Sequence, residues 1–224
     1  HNEVFNDEYH GQNGPLNVSK IRHKNKSVDD FVKTGSSIFG YNDDFNGENQ
    51  EGIGYYQTTQ KNGKRCSAAK AYLVPALDRD NLTILTDTNV NKINISEGKA
   101  TGVQCIDQEG NEFTVNASKE VLLSSGAFGS PQILLRSGVG PSEEITKHGI
   151  DHKIDLPGVG KNLQDHIDFI TVHKHKSINL LGFSLGTLLF KYPYELIKYI
   201  LAKTGMFTST VAEAGGFIRS RNDI

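Results

Sequence analysis

Apolar positions recur at helical spacing near both ends of the chain and at strand spacing in its middle. Residues 28–38 carry Val28, Phe31, Val32 and Ile38, and Ser27-x-x-Asp30 ahead of them resembles a capping box, so the pattern predicts a helix. Residues 194–202 place Leu196, Ile197, Ile200 and Leu201 at helical spacing, an amphipathic helix. Ser67 is positioned to cap a third helix over 68–73, with Pro75 at its end. Short β-type runs cover 16–19, 55–59, 82–85, 90–95, 102–106 and 113–115. The turns Glu97-Gly98-Lys99 and Gln108-Glu109-Gly110-Asn111 are short enough to force antiparallel pairing, so 90–115 predicts a β-meander. Alternation over 167–175 predicts one more strand, and 211–218 another, with close backbone approach at Gly215-Gly216.

The stretch from Glu120 to Gly140 has a different texture. An apolar run at 121–123 reads as a strand buried on both faces, and it breaks at Ser124, Ser125, Gly126 and Ala127. A helix then restarts, with Ser130 as the expected N-cap and Pro131 at its first position, and it closes at Ser137-Gly138. A strand, a small-residue elbow and a helix N-terminus together let backbone N–H groups face an anion.

Composition narrows the classes of function. With 36% apolar residues, a mean hydropathy of -0.43 and a formal charge of -2, nothing points to nucleic acid or to anionic lipid. Cys66 and Cys105 lack metal-motif spacing, and two cysteines suit a reducing compartment. The apolar run at 178–190 is too short to span a bilayer. His173 and His175 would share one strand face, but flanking lysines and the lack of a partner ligand favour a solvated face over a metal site. Ser124 and Ser125 lack the G-x-S-x-G elbow of a hydrolase. Glu213 sits in an apolar run, where a carboxylate is paired, at an edge, or set against a cationic ligand. Asn162, Asp165 and His166 follow a Gly-Pro turn and form a polar cluster or a plain turn network.

Several segments, in order, carry a resemblance to one family. They are His10-Gly11 with Gly14-Pro15-Leu16, Asp44-Phe45-Asn46-Gly47, Arg65 with Ser67-Ala68-Ala69, Gly126 to Gly140, Leu156 to His166, and Glu213 to Arg219. The chain resembles the glucose–methanol–choline (GMC) oxidoreductases, flavoenzymes that oxidise alcohols with FAD. The resemblance implies an α+β fold in which an α/β-type FAD domain part with a β-meander is interleaved with an antiparallel-sheet substrate domain part. Residues 1–64 would be a substrate-domain segment with its lead-in loop, 65–160 an FAD-domain segment, and 161–224 a second substrate-domain segment. It further implies that Val90 meets the adenine through its backbone, that Ser125, Gly126 and Ala127 lie against the ADP-ribose part of FAD, and that Glu213 lies where choline-oxidising members set a glutamate against the trimethylammonium group.

The family's G-x-G-x-x-G fingerprint and its C-terminal catalytic histidine pair have no counterpart here. The expectation is therefore the central part of an FAD-dependent alcohol dehydrogenase or oxidase. By itself it would hold no catalytic residue, no metal and no tightly bound FAD. Its partner would be a small-molecule alcohol, its place cytoplasmic, with peripheral contact to the inner membrane as an open option. A lyase of the same fold and a non-catalytic binding or assembly module are the alternatives.

Overall fold

A computed structural model describes residues 1–173, 182 and 184–221 of the chain. They form an α+β structure of two compact units, His1–Leu82 with Val172–Ile224, and Thr83–Thr171.

In the first unit, Asn25 adopts extended backbone and its side-chain oxygen accepts the Ser27 N–H, starting helix α1 (Lys26–Phe39). Asn25, rather than Ser27, is thus the cap, because Ser27 already lies inside the helix. Strand β1 (Ser19–Lys20) pairs with β3 (Gln57–Thr58), and β2 (Gly52–Tyr55) pairs antiparallel with β11 (Ala214–Phe217). Helix α1 packs on β2, where Gly35 approaches Ile53. Strands β4 (Gln60–Lys61) and β5 (Lys64–Arg65) close a hairpin through Asn62-Gly63, both at positive φ as a two-residue hairpin turn requires. The expected close approach at Gly215-Gly216 is present: a Cβ on Gly215 would strike the Tyr56 hydroxyl, and one on Gly216 the Ile53 side chain. The expected strand at 211–218 is shorter, beginning at Ala214, because Val211 holds φ +68°, outside any strand conformation.

The helix expected over 68–73 is instead a wide π-type turn, Ala69–Leu73, running into a 3-10 turn at Val74–Ala76; Pro75 brings no N–H to continue an α-helix. Ser67 does cap it, its Oγ accepting the Lys70 N–H at 3.3 Å. The apolar helix is α4 (Tyr192–Ala202), which stops where Lys203 turns left-handed. Within it Glu195 is buried and accepts hydrogen bonds from the Met206 N–H at 2.7 Å and the Lys198 ammonium at 3.0 Å. Burial pushes this carboxyl up, but Met206 and Lys198 outweigh it and hold it below the ordinary glutamate value. A depressed folded-state pKa gives stability that is present above the unfolded value and lost as pH falls through the folded one. Urea unfolding of the first unit should therefore weaken below about pH 4.3, and Glu195→Gln should remove part of that slope.

The second unit contains the predicted meander: β6 (Asn89–Ser96), β7 (Lys99–Ile106) and β8 (Glu112–Asn116), all antiparallel. Helix α2 (Gly126–Arg136) packs on β6, and Ser137 stitches the two by accepting the Ile93 N–H at 2.8 Å and donating to the Ile133 carbonyl. A two-residue parallel pair, β9 (Val139–Gly140) and β10 (Ile154–Asp155), and helix α3 (Ser142–Lys147) complete it around Ile93, Cys105, Ile133, Val139 and Ile145.

Three expected strands are not seen among the described residues. Residues 82–85 and 121–123 are irregular, and Leu122 is 80% exposed. Residues 167–173 are irregular too, with Ile167, Phe169, Ile170 and Val172 all exposed, while the rest of that run lies outside the described residues. An apolar run becomes a strand only where another strand pairs its backbone, and no described strand lies beside these. His175 and part of the apolar 178–190 run are likewise outside the described residues. No helix among the described residues is long and apolar enough to cross a membrane.

Candidate functional site

Helix α2 starts at Gly126, upstream of the expected Pro131. The cause is local: Ser130 does not cap a helix but lies inside one, its Oγ reaching back to accept the Ser125 N–H at 3.1 Å. The consequence matters for function. The first N–H groups of the helix now belong to Gly126, Ala127 and Phe128, and no side chain caps them.

Ser125, Gly126 and Ala127 are exposed, and a Cβ built on Gly126 meets nothing within 4 Å. Gly126 also holds φ +79°, a conformation that favours glycine and that starts the helix directly from the elbow. An uncapped helix N-terminus with open space in front of it suits a phosphate-bearing group, drawn by the free N–H groups and by the positive end of the helix dipole.

Val90 stands near the start of β6, paired with Cys105, and it is partly exposed. The register shift between Val90 and Lys92 leaves Asn91 without a ladder partner, and Asn91 instead accepts a hydrogen bond from Arg136 in the last turn of α2. Arg136 thus ties the last turn of α2 to the start of β6, next to Val90. The broad groove of this unit, about 610 Å³ and lined by Lys92, Arg136 and Lys153 among others, includes none of the four residues.

Glu213, in the first unit, is 2% exposed. Its Oε2 accepts the Asn25 N–H at 2.7 Å, its Oε1 accepts the Ser209 hydroxyl at 2.6 Å, and its carbonyl accepts the Tyr56 N–H. The carboxylate is paired within the chain, joining the cap of α1 to the turn that precedes β11. Sequence periodicity left this open, since Asn25 lies 188 residues away along the chain. Of the Asn162, Asp165 and His166 cluster, the structure shows a local turn network on exposed residues: Gln164 donates to Asn162, and the His166 N–H to Asp165.

The chain belongs to the GMC oxidoreductase family, whose sequence profile matches residues 3–168. It is 41% identical over 226 residues to the alcohol dehydrogenase (acceptor) of Pseudomonas putida, covering 98% of this chain and 40% of that protein. It is 40% identical to the oxygen-dependent choline dehydrogenase of Staphylococcus saprophyticus, covering 97% of this chain and 38% of the relative. A solved FAD-dependent oxidoreductase from Chaetomium thermophilum superposes with a TM-score of 0.76 at 27% identity, over 88% of this chain and 35% of that one. The chain thus spans about two-fifths of the length of the curated relatives it matches.

Proposed function

We propose that this chain is the part of an FAD-dependent alcohol oxidoreductase that holds the ADP half of the cofactor and one flank of the substrate site. The carrying observation is the bare N-terminus of α2, which puts free N–H groups on the residues that the family resemblance sets against ADP-ribose. Gly126, Ala127 and Phe128 would offer N–H groups to the anion, Ser125 would border the ribose, and Val90 would meet the adenine through its backbone. The chemistry a bound flavin supplies is acceptance of hydride from a CH–OH carbon. In this reading residues 65–160 serve the cofactor, and 1–64 with 161–224 serve the substrate. The partner is a small-molecule alcohol, with an electron acceptor outside this chain.

Glu213 enters as a fixed negative charge. Held by Asn25 and Ser209, it favours an alcohol with a cationic head over a neutral one through its field. In the full-length protein, primary alcohols should bleach the bound flavin anaerobically. Glu213→Gln should then lower kcat/KM for choline about tenfold relative to an aliphatic alcohol of similar length, a difference of about 1.4 kcal/mol. Equal losses for both alcohols would remove the charge-reading role; an unbleached flavin with every alcohol would remove the function itself.

A further inference from the structure

One buried polar cluster lies apart from the proposed cofactor and substrate residues. His10 is 5% exposed at its side chain and lies against the Phe5 ring, with centroids 5.2 Å apart. Its Nδ1 is 2.6 Å from Asp7 Oδ1. Its Nε2 makes no hydrogen bond, yet Asp44 Oδ1 is only 3.3 Å away. That distance permits a hydrogen bond but the alignment does not, so the Asp44 oxygen sits off the direction of the Nε2 lone pair. Two ligand atoms in neighbouring positions on one metal, each at a bond length of 2.0–2.2 Å, are themselves about 3.0–3.4 Å apart. The nitrogen and oxygen, 3.3 Å apart, stand at that spacing.

We propose that His10 Nε2 and Asp44 Oδ1 bind a divalent cation of the zinc class, with Asp7 as the outer carboxylate that orients the imidazole. The arrangement carboxylate–imidazole–metal fixes the tautomer, because the Asp7 hydrogen bond places the ring proton on Nδ1 and leaves Nε2 as the donor atom to the metal. A mixed imidazole–carboxylate pair selects a borderline cation over calcium or magnesium, which prefer all-oxygen sites. Asp7 and Asp44 together carry two negative charges against a neutral imidazole, which a divalent cation balances. Asp44 is itself positioned by the Asn46 N–H at 3.1 Å and by Gln57 at 3.4 Å. The cation would pin the 7–10 turn to the 42–47 loop. It competes with a proton, since the Asp7 hydrogen bond, with Asp44, holds the imidazole above its ordinary pKa despite burial.

The test is a zinc titration of the full-length protein against a chromophoric zinc indicator at pH 7.5. Wild type should bind one equivalent that Asp44→Asn weakens by about a hundredfold and Asp7→Asn by about tenfold. Asp44→Asn keeps an oxygen for the Asn46 N–H, so circular dichroism should show it folded. If it is not, zinc K-edge absorption of the wild-type protein decides: one imidazole and carboxylate or water oxygens supports the site, and any other shell overturns it. Absence of a bound equivalent, or an equivalent unchanged in Asp44→Asn, also overturns it. His10 would then be an imidazolium held between two carboxylates.

Discussion

Glu213→Ala lowers the unfolding free energy of the first unit by about 4 kcal/mol, measured as a shift of the urea midpoint at constant slope. Two hydrogen bonds to a buried carboxylate are lost, each worth about 1.5–3 kcal/mol, and the Asn25 N–H and Ser209 hydroxyl are left without acceptors. The loss falls where three segments meet: the cap of α1, the turn before β11, and β2, whose neighbour Tyr56 donates to the Glu213 carbonyl. Val211, nearby at φ +68°, adds a strained residue that this network must hold in place, the Ser209 Oγ accepting its N–H. The exposed Arg219–Glu51 pair provides the contrast. Glu51→Ala removes a charge pair screened by water and should change stability by less than about 1 kcal/mol. If the two substitutions cost the same, the Glu213 carboxylate is not the buried tie described.

How much of this could be read from the sequence depended on whether the deciding partner was near in the chain. The β6–β7–β8 meander was legible because alternation and short turns act within a few residues, and the turn at Glu97-Gly98 has both residues at positive φ. Helices α1 and α4 were legible from their spacing alone. Their ends were harder, since Asn25 and Ser27, or Ser125 and Ser130, offer nearly equivalent capping chemistry and backbone geometry chooses between them. The lost strands at 82–85, 121–123 and 167–173 show the opposite case: β propensity is local, but a strand needs a neighbour to pair with. The same limit hid the tie of Glu213 to Asn25 and the meeting of Asp7, His10 and Asp44. In both, residues far apart in sequence converge on one buried group. What sequence did supply for the site was the family order of motifs and the small-residue elbow. The structure then put a bare helix end on that elbow.

The second large effect follows from that helix end. Ala127 is exposed in the first turn of α2, and leucine is a good helix former, so Ala127→Leu should change stability by less than about 0.5 kcal/mol. The same substitution puts an isobutyl group over the N–H groups that are to face the cofactor. If the helix N-terminus holds the ADP half of FAD, full-length protein carrying the substitution should bind FAD at least about a hundredfold more weakly, or about 2.7 kcal/mol. It should emerge from purification largely colourless. The direct measurement is the visible flavin absorbance per protein of wild type and Ala127→Leu, prepared side by side and titrated with FAD. Wild type should carry flavin and the folded variant should have lost it; a folded variant with wild-type flavin content and affinity would mean that the α2 N-terminus does not hold the cofactor.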